Sequence, residues 1–283
     1  MRASSACPVV HHMALVRPMG ETAPKGFASA YAYCKFKSRV LASHRHVLDA
    51  DSHEFLTTLR EQARAREQRL PAGSILWRAQ LGCDSKAVIE GGEEIADEPI
   101  GYRPDRMKPH KDRAREGRVN PKGIPCLYLA NRKETAMSEV RPWLGYSISL
   151  AQFRTVREVT IVNCFTKEET DHLIFFGNVP REHWNESVWQ EIDQAFRTPV
   201  SRDEETDYRA PYAPTQIIAE FFKAQGLDGI AYRSAFGKGH TVALFDVNAA
   251  DLMNCTVHEV RNITFDFHES ANPYFIPKHY QKK

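Results

Sequence analysis

Three short segments place polar side chains where their neighbours argue for burial. The first is Leu76-Trp77-Arg78-Ala79, an arginine inside an apolar, strand-like run that starts at Ile75. A guanidinium there must be paired or must face a cavity, because a lone buried charge is very costly. The second runs from Glu134 to Val140. On a helix, Glu139 follows Thr135 by one turn and shares a face with Ala136, so a small side chain beside a carboxylate leaves room for a ligand. The third is Tyr232-Arg233-Ser234-Ala235, followed by Phe236-Gly237-Lys238-Gly239. Serine and glycine at a strand end offer a backbone-rich rim suited to phosphate or ribose. Each segment also has a plain structural reading: a salt bridge, an exposed helix acid, a hairpin loop. Taken singly, the plain readings are favoured.

Other chemistries lack their signatures. The Gly-Lys-Gly turn is not a Walker loop, since the GxxxxGK[ST] spacing is absent, and no GxGxxG follows a strand. Ser234 has no nucleophile-elbow motif. The six cysteines, at 7, 34, 83, 126, 164 and 255, contain no CxxC pair, so neither a zinc knuckle nor a thioredoxin-like motif is present. His11-His12 has the donor type for a metal but no partner cluster, and no metal is expected. Trp184 and Trp189 read as core rather than as a stacking platform.

The elements that would carry these groups follow from periodicity. Residues 26–42 space Phe27, Tyr31, Phe36 and Val40 as an amphipathic helix. A second helix starts at Asp51 or Ser52, where Asp51 and Glu54 match a capping box and Phe55, Leu56 and Leu59 form the apolar face. Arg60–Arg69 is expected to be charged and exposed, with Pro71-Ala72-Gly73 stopping the helix. After the Arg78 strand, Glu90–Glu98 holds five carboxylates, and Arg103–Arg118 holds seven Lys or Arg against three acids. These read as a long surface loop whose two blocks partly neutralise one another. Residues 126–130 predict a strand, with Asn131 capping a helix over 132–140. Further strands are expected over 156–165, 229–232, 242–245 and 257–267. Helices are expected over 180–196 and 215–225, the latter ended by Gly226. The fold class is therefore α+β with a mixed sheet. An irregular lead-in (1–25) and a helical prefix (26–70) precede the main domain (71–267), and a tail (268–283) follows it.

Composition narrows the function. The chain has 283 residues, 42% hydrophobic and 26% charged, enough for one substantial core. Lys plus Arg is 38 against 36 acids, a formal charge of +2, so nucleic acid is not the default partner, whereas a local basic pocket for a polyanionic small molecule is compatible. No apolar run approaches a membrane span, and the first residues lack the order of a secretory signal, so a cytoplasmic location with reduced thiols is expected.

Together the three segments resemble the RES domain, a family named for its Arg, Glu and Ser. Ser74–Gln80 looks like its arginine strand, and Gly117–Pro125 resembles its Gly-Arg-aromatic-Asn-Pro segment, with Val119 where many members carry Trp or Phe. Residues 126–130 and Glu134–Pro142 fit its strand and glutamate helix. Pro199–Asp203, Pro214-Thr215-Gln216, Asp228–Ser234 and Val242–Asp246 complete the order, while Arg209–Ala213 looks like a short insertion. The helical prefix is similar to that of longer members.

The resemblance implies a fold related to ADP-ribosyltransferase toxins and the breakdown of NAD+ by water or inorganic phosphate, with no bound cofactor. It also implies a toxin or effector role and an antitoxin or immunity protein as partner. On that reading Arg78, Glu139 and Ser234 are catalytic: Arg78 grips a phosphate, Glu139 stabilises the cationic ribose, and Ser234 bonds ribose or nicotinamide. Arg118 takes the second phosphate, Tyr128 packs on or bonds the nicotinamide ribose, and Asn120 and Arg233 line the pocket. The rival readings are transfer of ADP-ribose to a macromolecule and a catalytically silent module that docks a partner through Arg103–Arg118.

Overall fold

The N-terminal apolar spacing produces two helices whose ends differ from the sequence expectation. The computed structural model describes residues 26–43, 45–110, 113–165, 179–198, 212–265 and 267. The lead-in with His11-His12, the segment Pro199–Asp203, residues 209–211 of the insertion and the tail over 268–283 lie outside the described residues. Helix α1 (Ala32–Ala42) buries Tyr33, Phe36 and Val40. Tyr31, expected on the apolar face, precedes the helix and is exposed. Helix α2 (Ala50–Ala63) buries Phe55, Leu56 and Leu59 as expected. Its cap, however, is Asp49, whose carboxylate accepts from the Ser52 amide at 2.8 Å. Asp49 has the extended backbone that a cap requires, whereas Asp51 is already helical and only pairs with Arg39, which Asp49 also meets at 3.3 Å.

The charged run after α2 does not continue as an exposed helix. A 3-10 turn over Arg64–Arg66 leads into β1 (Glu67–Leu70), which pairs antiparallel with β7 (Val159–Asn163). Arg66 is absorbed by the body: it donates to the Phe165 carbonyl at 3.2 Å, pairs with Glu186 at 3.0 Å and stacks over Trp189. Pro71–Gly73 therefore ends a strand.

Eight strands form one sheet in the order β1-β7-β8-β9-β5-β2-β6-β10. The remaining members are β2 (Ile75–Leu81), β5 (Leu127–Ala130), β6 (Ser147–Thr155), β8 (Gly229–Arg233), β9 (His240–Leu244) and β10 (Ala250–Glu259). Among the described strands β7 and β8 alone pair in parallel, so the sheet is mixed. The last strand begins well before Val257 and stops at Glu259. Its polar residues alternate along a sheet edge and hide the strand from a hydrophobicity reading.

The expected charged loop is instead a hairpin of β3 (Asp84–Glu90) and β4 (Glu93–Ile100). Gly91 and Gly92 both take positive φ at its tip, as a tight two-residue turn demands. Among the described residues the acidic block is not neutralised by ion pairs. Arg106 reaches Asp84 at 3.6 Å, but Glu90, Glu93, Glu94, Asp97 and Glu98 make no ion pair among the described residues.

The sheet is packed on both faces. On one, α1, α2, α5 (Trp184–Arg197) and α6 (Ala213–Ala224) bury Phe36, Leu59, Trp189, Phe196 and Phe222 against Ile230, Tyr232 and Ala243. On the other, Leu76, Leu127, Leu129, Phe153 and Leu244 pack with Tyr102 and with Met107 of the short helix α3 (Pro104–Met107). Helix α4 (Lys133–Glu139) sits over a small cluster of Ala79, Ala130, Ala136, Ile148 and Leu150. No helix among the described residues is long and apolar enough to cross a membrane. Replacing the cap, Asp49→Ala, is expected to lower unfolding stability by about 1 kcal/mol, while Asp51→Ala costs less. Urea denaturation of the two variants checks this, and equal losses would contradict the assignment of the cap.

Candidate active site

Helix α4 and the turn after β8 meet directly. Thr135 and Ala136 are buried and Glu139 lies on the same side, as the spacing required. Ser234, itself buried, donates from Oγ to Glu139 Oε1 at 2.6 Å and accepts from the Phe236 amide at 3.1 Å. The serine proton is thus committed to the carboxylate and its oxygen is fixed from behind, an arrangement that positions Glu139 rather than one that activates a nucleophile. Asn131 does not cap α4. Its Oδ1 accepts from the His240 amide at 2.9 Å, tying the helix start to β9, and Arg132 stands at the cap position without a side-chain bond.

Arg78 enters from a weak seam in the sheet. β2 pairs with β6 all along Ile75–Leu81, but with β5 only through Trp77 and Ala130. The Arg78 Nη1 donates to the Tyr128 carbonyl at 3.1 Å, and its buried Nε has no partner. No carboxylate pairs with it among the described residues. Burial accordingly pushes its pKa down to about 10, an effect the neighbouring Tyr128 opposes only in part. The structural salt bridge is therefore not what holds this arginine.

A third set of residues braces the rim. The Tyr128 hydroxyl donates to Asn120 Oδ1 at 2.7 Å and accepts from the Val119 amide at 3.0 Å. Asn120 Nδ2 donates to the carbonyls of Arg115, Pro121 and Ile124, and Gln216 Nε2 donates to those of Gly117 and Asn120. A Cβ on Gly117 would fall 2.6 Å from the Tyr128 hydroxyl, so only glycine allows this close approach. The strut presents Arg118 to the cavity beside Tyr232. Burial pushes the Tyr232 phenol well up, and Glu139 adds to this while Arg118 opposes it.

These groups enclose a cavity of about 320 Å3 lined by Trp77, Arg78, Arg118, Tyr128, Glu139 and Tyr232, with Ala136 and Tyr212 at its walls. Arg78, Glu139, Arg118 and Tyr128 are thus brought together, with Ser234 behind the carboxylate. Two expected lining residues are not. Asn120 is buried in the strut. Arg233 faces Asp193 of α5, its amide donating at 3.2 Å and its Nε lying 3.9 Å from the carboxylate. The Tyr128 hydroxyl is spent within the strut, which leaves its ring for packing. Trp77, Tyr212 and Tyr232 were missed as lining residues; alternation along β2 would have turned Trp77 to the side opposite Arg78, so the sequence pattern did not point to it. No group of three or more His, Cys, Asp or Glu among the described residues is placed to hold a metal.

An α+β domain with an arginine strand, a glutamate helix and a serine turn converging on one cavity defines a recognisable class. The RES domain family matches residues 75–268, most of the chain, and the chain belongs to it. A chain in the crystal structure of the M. tuberculosis MbcT–MbcA toxin–antitoxin complex is similar at 13% identity, with a TM-score of 0.38, over 72% of this chain and 92% of that one. No curated protein matches.

Because Arg78 is half-buried, with its Nε enclosed and no counter-ion among the described residues, Arg78→Met is expected to leave the urea midpoint unchanged or to raise it. The sign with pH follows. A base whose folded pKa lies below its unfolded value makes folding more favourable as pH rises through about 10, so the gain from methionine shrinks there. A marked loss of stability in Arg78→Met at neutral pH would mean that the charge is paired.

Proposed function

We propose that the cavity binds NAD+ and breaks its nicotinamide–ribose bond, passing the ADP-ribosyl group to water or inorganic phosphate. The observation that carries this reading is the half-buried Arg78 guanidinium, without a counter-ion among the described residues, in the same cavity as a carboxylate fixed by Ser234. A ligand that answers both must bear an anion at one end and develop positive charge at the other. A pyrophosphate joined to a ribose with a cationic leaving group is such a ligand, and membership of the RES family agrees with it.

The geometry supports the following roles. Arg78 takes a phosphate oxygen, where a planar fork makes charge-assisted bonds, and Arg118 reaches the second phosphate from the rim. Glu139 holds a ribose hydroxyl and stabilises the oxocarbenium-like sugar as nicotinamide departs with the bonding pair. Ser234 keeps the carboxylate in one rotamer, so little reorganisation is needed when charge develops. Trp77, Tyr128 and Tyr232 supply apolar walls that exclude water from the leaving side. In this proposal the protein is a toxin or effector of the cytoplasm, and a protein antitoxin or immunity partner restrains it.

Glu139→Gln, nearly isosteric, is expected to fold as the wild type does and to lower NAD+ consumption by at least about 100-fold. Mass spectrometry of the products, with and without phosphate, assigns the acceptor. Wild-type consumption by Glu139→Gln would overturn the role of the carboxylate. Label from NAD+ fixed on lysate macromolecules would replace breakdown by transfer.

A further inference from the structure

The residue after the glutamate helix stands in a conformation that its type disfavours. Arg141, with φ +47°, is the only non-glycine residue with positive φ among the described residues. It follows Val140, the last residue that caps α4, at the position where helices usually place glycine because a Cβ is strained there. Its amide donates to the Ser138 carbonyl at 3.0 Å, and Pro142 prevents the helix from continuing.

The strained backbone sends the side chain to a specific place. The Arg141 guanidinium carbon lies 4.5 Å from the centroid of the Phe236 ring, and Arg141 makes no ion pair among the described residues. Phe236 is the residue whose amide donates to Ser234 Oγ, and Ser234 Oγ donates in turn to Glu139. The contacts close a ring: Glu139, Val140, Arg141, the Phe236 face, the Phe236 amide, Ser234 and back to Glu139. The same turn is pinned further along, where Thr135 Oγ1 donates to the Lys238 carbonyl at 2.8 Å and a Cβ on Gly237 would lie 3.3 Å from the Thr135 Cα.

We infer that Arg141 is a positioning residue for Glu139, latching the end of α4 onto the serine turn through the Phe236 face. The inference rests on the NAD+ reading for what Glu139 does, but the latch itself is independent of it. The chain accepts a strained arginine in place of an easy glycine because the guanidinium is needed on Phe236. Without it, the turn is still held at Thr135, but the stretch that carries the Phe236 amide is released, and Ser234 loses the donor that fixes its oxygen.

Arg141→Gly removes the latch and relieves the backbone strain together, so its unfolding midpoint separates lost positioning from lost folding. It is expected to unfold at the wild-type midpoint or above, with kcat for NAD+ loss about five- to tenfold lower and KM within about twofold. Arg141→Lys keeps a cation over the ring and restores part of kcat. Phe236→Leu lowers kcat as Arg141→Gly does, and the double variant loses no more than either single one, because both remove one contact. Hydrogen exchange of the Phe236 amide, read by NMR without any substrate, is expected to be about tenfold faster in Arg141→Gly. Wild-type kcat in Arg141→Gly, or additive losses in the double variant, would overturn the latch, as would unchanged exchange at Phe236. If the wild type leaves NAD+ intact while exchange at Phe236 responds as stated, the latch stands and the NAD+ reading falls.

Discussion

The rest of the site depends on the Arg78 guanidinium, a charge held inside the protein with a single carbonyl for company. A buried cation is tolerated only where something else repays its desolvation, and here no carboxylate does so among the described residues. The sheet is arranged around this requirement. β2 stays fully paired with β6 and parts from β5 after one residue pair, which opens the seam that Arg78 and the cavity share. A continuous sheet at that point would leave no place for a ligand to meet the charge. On the proposed reading the arginine trades folding stability for an anion-binding group, as expected of a site kept for function rather than stability.

Rigidity on the other walls follows from polar groups that are satisfied by one another. Tyr128, Asn120 and Gln216 form a strut with at least six hydrogen bonds to backbone or to each other, and Gly117 lets it close. The strut fixes the main chain on either side of Arg118, so the second arginine is held by its backbone rather than by an ion pair. Glu139 is fixed differently, through Ser234 and the turn behind it. Charges of opposite sign therefore face the cavity from separately braced elements, and neither is neutralised by the other.

Much of this was legible in the sequence, and the reasons differ by residue. Helical spacing put Glu139 beside Thr135 and Ala136, and Arg78 stood out as a cation within an apolar strand, but taken singly each still read as structural. All three, Ser234 included, needed the order of the surrounding motifs. The roles of Asn120 and Arg233 were not legible, since a polar side chain near a site looks the same whether it faces the ligand or braces the backbone. Only the partner decides: Asp193 for Arg233, and three carbonyls for Asn120. The acidic hairpin was hidden because β3 and β4 expose nearly every side chain and show no apolar face. β1 was hidden because a short edge strand of Glu67-Gln68-Arg69-Leu70 owes its existence to pairing with β7, not to its own propensity.

The central claim is that Arg78 waits for the phosphates of the ligand. Calorimetric titration with ADP-ribose, which carries the pyrophosphate but no nicotinamide to lose, tests it without requiring turnover. The account predicts binding to the wild type that weakens at least about 100-fold in Arg78→Met, the loss expected when a charge-assisted pair with a phosphate is removed. Equal affinity in the two proteins would contradict it, because the buried charge would then have no part in holding the ligand.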